Sequence, residues 1–220
     1  MERDWAAVDD YIGDKLLGED IELAETLAAN AAAGLPAIDV SPAQGKFLYL
    51  LAKLMGARRI LEVGTLGGYS TIWLARSLPA DGRLITLEID PHHAEVARAN
   101  LERAGVADKT EVRIGPAVEA LEALRKAGGA PFDLVFIDAD KQNNANYVKA
   151  AIELARSRAV IVVDNVIREG RVLDAQSEDS AVQGTRRIFD MLAEEARLAA
   201  TAIQTVGRKK WDGFVIAVVK

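Results

Sequence analysis

From residue 58 onward, apolar stretches alternate with segments of helical period, a pattern that predicts strand–helix–strand units around a parallel sheet. The strands are expected at 59–64, 83–90, 110–115, 133–138 and 159–164. These runs carry β-branched residues, most densely at 160–163, as strands buried on both faces do. Two later runs, 198–206 and 213–219, flank a short polar connection at 207–212 and predict an antiparallel hairpin at the sheet edge. The fold class is therefore α/β, with a mostly parallel seven-stranded sheet, a C-terminal antiparallel hairpin and helices on both faces.

Two helix starts have clear mechanisms. In "SPAQ", Ser41 caps the backbone amides, Pro42 suits the first helical position and Gln44 completes a capping box. That helix is expected to run to about Met55, with Phe47, Leu51, Leu54 and Met55 on one face and Gly56 at its end. In "DPHH", Asp90 is the expected cap and Pro91 the first residue. Residues 1–40 read as two further helices split near Gly18, followed by a loop at 34–39. This N-terminal extension suits a cover over the sheet's open end or a dimer contact, and a homodimer is expected. No repeat or flexible linker interrupts the chain, and 220 residues suffice for one substantial core. A single domain over 1–220 is expected, with 41–220 as its core.

Composition narrows the chemistry. Half of the residues (50%) are apolar and 27% are charged, the balance of a globular protein. Met1 is followed at once by Glu2, Arg3 and Asp4, and no apolar run reaches spanning length, so a cytoplasmic protein without a membrane partner is expected. The absence of cysteine removes thiolate nucleophiles, zinc–thiolate sites and iron–sulfur clusters, leaving oxygen or histidine to bind any metal. The formal charge of -6 speaks against a nucleic-acid partner. The only two histidines, His92 and His93, are adjacent at a helix start and read as a solvated helix end.

The first strand leads into "ILEVGTLGGYSTIWLA", where Gly64, Gly67 and Gly68 form a turn and Tyr69 begins a helix. Glycines let a ligand approach the backbone, and the free amides of a helix N-terminus contact its polar groups. The dinucleotide spacing G-x-G-x-x-G is absent, because Leu66 occupies the second glycine position. Glu62, inside the strand, suits a cofactor that carries an amine, and Glu88, at the end of the second strand, lies where related sheets hold ribose hydroxyls. Together these favour S-adenosylmethionine, with NAD as the runner-up. The plain alternative is a crowded turn beside a surface acid.

"DLVFIDADK" and "AVIVVDNV" place Asp138 and the pair Asp164–Asn165 at the ends of neighbouring strands. Two carboxylates and an amide oxygen make a hard site suited to magnesium, calcium or manganese. Taken singly, Asp138, Asp140 and Asp164 read as helix caps.

The elements "EVGTLGGYS", "DADK" and "DNVIREGRV", in this order, together with the late "WDGF", resemble those of the cation-dependent O-methyltransferases related to catechol and caffeoyl-CoA O-methyltransferases. The likeness runs from about Val40 to the C-terminus and implies a Rossmann-like class I methyltransferase fold. It also implies that Glu62, Gly64, Thr65, Gly68 and Ser70 surround the methionine part of S-adenosylmethionine, that Glu88 holds its ribose, and that Val40, Asp138 and Asp140 lie at its margins. By the same resemblance, Asp138, Asp164 and Asn165 are the metal ligands and Lys141, beside Asp138, is the catalytic base. Family members commonly have "GDA" or "GSA" near the adenine, whereas this chain has "GPA", so adenine contact passes to Ala117 or a neighbour. Tyr147 and Trp211 are placed beside the substrate, with helix packing the alternative for Tyr147. Arg208, Lys209 and Lys210 read first as a solvated run and second as a selector of acidic substrates. Arg168 either steadies the metal-site loop or lies on its surface.

The expected activity is methylation of a small-molecule hydroxyl, with a catechol-like vicinal diol as the natural substrate. A nicotinamide-dependent oxidoreductase and a non-catalytic cofactor-binding module are the rivals.

Overall fold

A computed structural model describes residues 4–220. The charged start at Met1, Glu2 and Arg3 lies outside the described residues. The chain divides into two compact units, Met1–Pro116 and Ala117–Lys220. The expected α/β class is present, with seven strands, mostly parallel, and a closing antiparallel hairpin.

The first unit contains helices α1 (Trp5–Leu16), α2 (Ile21–Ala32) and α3 (Pro42–Met55), then β1 (Arg59–Val63), α4 (Tyr69–Ser77), β2 (Arg83–Glu88), α5 (Pro91–Arg103) and β3 (Thr110–Ile114). Strand β2 pairs in parallel with β1 on one side and β3 on the other. Ile60, Leu61 and Val63 are buried, so β1 is covered on both faces. The predicted caps form: Ser41 Oγ accepts from the Gln44 amide at 3.2 Å, and the Asp90 carboxylate accepts from the His92 amide at 2.8 Å.

The buried face of α3 differs from the expected one. Leu54 is 87% exposed, and Gly45, Leu48 and Ala52 turn inward instead. The physical reason is close packing on α4: a Cβ at Gly45 would lie 2.3 Å from the Trp73 ring. Small residues win that face because backbone must approach an indole. The N-terminal extension is tied to the same helix, since Asp20 caps α2 through the Leu23 amide and accepts from Arg76 of α4 at 2.6 Å.

The second unit contains α6 (Ala117–Ala127), β4 (Phe132–Ile137), α7 (Asn144–Leu154), β5 (Ala155–Asp164), α8 (Ser180–Glu194), β6 (Leu198–Gly207) and β7 (Lys210–Val219). Strands β4 and β5 are parallel, while β7 is antiparallel to both β5 and β6. Residues 134–137 of β4 and 159–163 of β5 are buried and form the core. Strand β5 starts four residues before the expected 159, because Arg156 is neutralised across the pair by Asp133 at 2.5 Å. Its register shifts near Arg158, whose φ of 67° makes the irregularity. The hairpin connection is also shorter than expected: Gly207 pairs with Lys210, leaving only Arg208 and Lys209 in the turn. Strand pairing at a sheet edge tolerates the polar side chains that had read as loop.

Replacing Gly45 with Ala should force α3 away from Trp73 and cost about 1–3 kcal/mol, as overpacking does. Urea unfolding checks it: a midpoint equal to that of the unaltered chain would mean that α3 and α4 yield without strain.

Candidate active site

In the first unit, the candidate cofactor turn follows β1. Glu62 is fully buried (0% exposed) within that strand. A buried carboxylate needs donors: Ser70 Oγ donates to Oε1 at 2.7 Å and Thr71 Oγ1 to Oε2 at 2.5 Å, both from the first turn of α4. Glu88, at the end of β2, gathers the other side. Its Oε2 accepts from the Thr65 and Leu66 amides at 3.1 and 2.8 Å, and its Oε1 from the Asp90 amide at 3.0 Å. Thr65 Oγ1 meets Thr86 Oγ1 at 2.5 Å.

These bonds bend the backbone between strand and helix. Gly64 and Gly68 have φ of 99° and 85°, where a side chain would be strained. Gly68 caps α4 without a side-chain bond, so the first amides of that helix have no side-chain cap. Val40 is buried immediately before the Ser41 cap. Val40, Glu62, Gly64, Thr65, Gly68, Ser70 and Glu88 all belong to this unit.

The histidines do more than face solvent. His92 Nε2 lies 2.9 Å from the Ala33 carbonyl at the end of α2, and His93 Nδ1 lies 3.7 Å from Glu88 Oε1.

In the second unit, Ile137 pairs with Val163, so the next residues, Asp138 and Asp164, leave neighbouring strand ends together. Lys141 is 8% exposed, and its Nζ donates to Asp138 Oδ1 at 2.6 Å. Asp164 is buried and accepts from the Asn165 amide at 2.9 Å, with Asn165 at a φ of 57°. Among the described residues, no three of His, Cys, Asp and Glu gather as a metal cluster.

Asp140 is engaged by Tyr147 Oη and by Asn143 Nδ2, the latter at 2.6 Å. Burial first, then the hydrogen bond and charge of Asp140, raise the Tyr147 hydroxyl well above its ordinary pKa and keep it a neutral donor. Tyr147 is thus a packed residue of α7 that fixes Asp140. Ala117 is the first residue of α6. The Trp211 ring covers Gly170, where a Cβ would lie 2.8 Å from Cζ3, and its Nε1 donates to Gln204 at 3.0 Å.

The O-methyltransferase family model matches residues 17–217. The chain belongs to the O-methyltransferase family. It is an S-adenosylmethionine-dependent O-methyltransferase with the Rossmann-like fold its motifs implied, and the nicotinamide rival falls. A catechol O-methyltransferase of Mycobacterium tuberculosis is 59% identical over 97% of this chain and 95% of its own length. One of Niastella koreensis is 52% identical over 97% of each chain. The solved O-methyltransferase of Bacillus cereus in complex with SAH superimposes with a TM-score of 0.98 at 55% identity, covering 100% of both chains.

Two positions in this methyltransferase escaped the sequence reading. Gly184 lets α8 lie flush on the Lys141 turn, since a Cβ there would sit 2.3 Å from the Lys141 carbonyl oxygen. Asp212, in β7, organises the loop after Asn165: its Oδ1 accepts from the Ile167, Arg168 and Gly213 amides at 2.9, 3.0 and 3.0 Å. Arg168 and Glu169, both left-handed at φ of 57° and 55°, depend on that anchor. The "WDGF" match pointed to the hairpin, but the amides of Ile167 and Arg168 lie 45 and 44 residues away in sequence.

Asp212→Ala should cost about 1.5–3 kcal/mol, the range for hydrogen bonds to a charged group, and accelerate amide exchange at Ile167 and Arg168. Unchanged exchange there would show that other contacts hold the loop.

Proposed function

We propose that this methyltransferase acts on one hydroxyl of a catechol-like vicinal diol with the help of a divalent cation, magnesium or alternatively calcium or manganese. The observation that carries the reading is the part-buried Lys141–Asp138 pair at 2.6 Å, beside Asp164 and Asn165 at neighbouring strand ends. The residues fit such an ion. Their donors are all oxygen, as hard cations require, and the Lys141 ammonium already lies against Asp138 as a stand-in positive charge. The names of the two catechol O-methyltransferase relatives support the substrate class.

In this reading Asp138, Asp164 and Asn165 hold the ion. When bound, it supplies Lewis-acid charge that makes a nearby hydroxyl more acidic. Lys141 takes the proton from the acceptor oxygen. To do so it must be the neutral amine. The oxygen lone pair forms the new bond to the methyl carbon, while the carbon–sulfur pair returns to sulfur and SAH leaves. Glu62 receives the cofactor's amine, Glu88 its ribose and Ala117 its adenine. Gly64, Thr65, Gly68 and Ser70 surround its methionine part, with Val40 and Asp140 at its margins. Tyr147 supports that margin through Asp140, and Tyr147 and Trp211 flank the acceptor. A cytoplasmic homodimer without nucleic-acid or membrane partners belongs to the same reading. The charge of -6 supports the first exclusion, and among the described residues no helix is long and apolar enough to cross a membrane.

Exhaustive chelation should abolish methylation of catechol, and magnesium should restore it; Asp164→Ala should lose the restoration. Full turnover by the chelated protein, read as methylated product by mass spectrometry, would sink the metal requirement.

Lys141→Met should keep cofactor binding while kcat falls by about 10²- to 10⁴-fold, the usual contribution of a general base. Rising pH should partly rescue it as the hydroxyl ionises unaided. Superimposable kcat–pH profiles for Lys141→Met and the unaltered enzyme would remove Lys141 from the base role.

A further inference from the structure

The glycine turn is gripped from its back by side-chain amides that the methyl-transfer chemistry does not use. Asn100 of α5 is 1% exposed and Asn30 of α2 is 3% exposed. Asn100 Nδ2 donates to the Gly67 carbonyl at 2.8 Å and to Asn30 Oδ1 at 2.9 Å. Asn30 Nδ2 in turn donates to Asp39 Oδ1 at 2.9 Å, beside Val40. At the outer end, Arg103 donates to Asn100 Oδ1, and its Nε lies 3.3 Å from Glu25 Oε2.

Gly67 is where this chain meets the cofactor turn. A Cβ there would lie 1.8 Å from Asn30 Oδ1, so the residue is glycine because Asn30 approaches it. Its neighbours Thr65 and Leu66 give their amides to Glu88 on the other side. The turn is thereby held between a carboxylate and an amide chain, and a buried amide that loses its partner is costly. If either buried asparagine loses its partner, the turn is loosened.

We infer that Asn30 and Asn100 are positioning residues for the cofactor: they couple α2 to the glycine turn, so that S-adenosylmethionine affinity depends on the N-terminal helix. The inference rests on reading Gly64–Ser70 as the cofactor loop. Pre-ordering a loop raises affinity by sparing the ordering cost at binding, and coupling between two sites is reciprocal. Cofactor binding must therefore also stabilise α2.

Calorimetry with SAH on the full chain tests this. Asn100→Asp is isosteric, keeps the acceptor for Arg103 and removes both donors. Its Kd for SAH should rise about 5- to 150-fold, the usual span of such coupling. With catechol as acceptor, KM for S-adenosylmethionine should rise while kcat at saturation holds. Glu25→Gln, at the outer end, should keep the unaltered Kd. In the unaltered protein, SAH should slow amide exchange across residues 23–33. A lowered Tm with unchanged Kd in Asn100→Asp would reduce the chain to a structural role and overturn the inference. So would a loss of kcat with KM unmoved, or exchange in α2 indifferent to SAH, a measurement that stands even if the variant fails to fold. An unaltered protein that binds no SAH would instead defeat the cofactor reading itself.

Discussion

Two carboxylates withdrawn from water, Glu62 and Glu88, shape the turn between β1 and α4 in the first unit. A carboxylate inside a sheet is stable only when donors surround it. Ser70 and Thr71 supply them to Glu62, and the amides of Thr65, Leu66 and Asp90 supply them to Glu88. Most of these donors lie in the turn after β1 or the first turn of α4. Satisfying the acids therefore dictates the path of the backbone, including the positive φ at Gly64, Leu66 and Gly68.

The second unit applies the same rule with different partners. Asp140 is held by Tyr147 and Asn143, and Asp212 by three backbone amides. Those donors are fixed by helix and strand. Asp138 instead meets a lysine ammonium, a flexible group that can move to another oxygen or give up a proton. Gly184 seats the turn carrying that lysine against α8. A movable cation on a firmly seated turn is an arrangement suited to proton handling.

How much was legible follows from the range of each interaction. The caps at Ser41 and Asp90 were readable because donor and acceptor are two or three residues apart. The strand ends at Asp138 and Asp164 were readable because buried parallel strands are nearly continuous apolar runs closed by a polar residue. The site motifs stand at those ends, which makes Glu62, Glu88, Asp138, Asp164, Asn165 and Lys141 the candidate site residues. The inward face of α3 was misread, because a helical apolar stripe does not reveal that an indole demands glycine opposite it. The early start of β5 was not legible, since Asp133, the partner of Arg156, lies on another strand.

By itself, then, the amino-acid sequence determined the α/β class, the order of strands and helices, the caps and the candidate site residues, all of which arise from neighbours along the chain or from periodic burial. Tertiary structure alone decided why Gly67 is glycine, what Asn30 and Asn100 do, and which carboxylate anchors the loop after Asn165. Those depend on groups dozens of residues apart, brought within about 3 Å of one another, the ordinary hydrogen-bond distance. No pattern local to either partner records such a meeting.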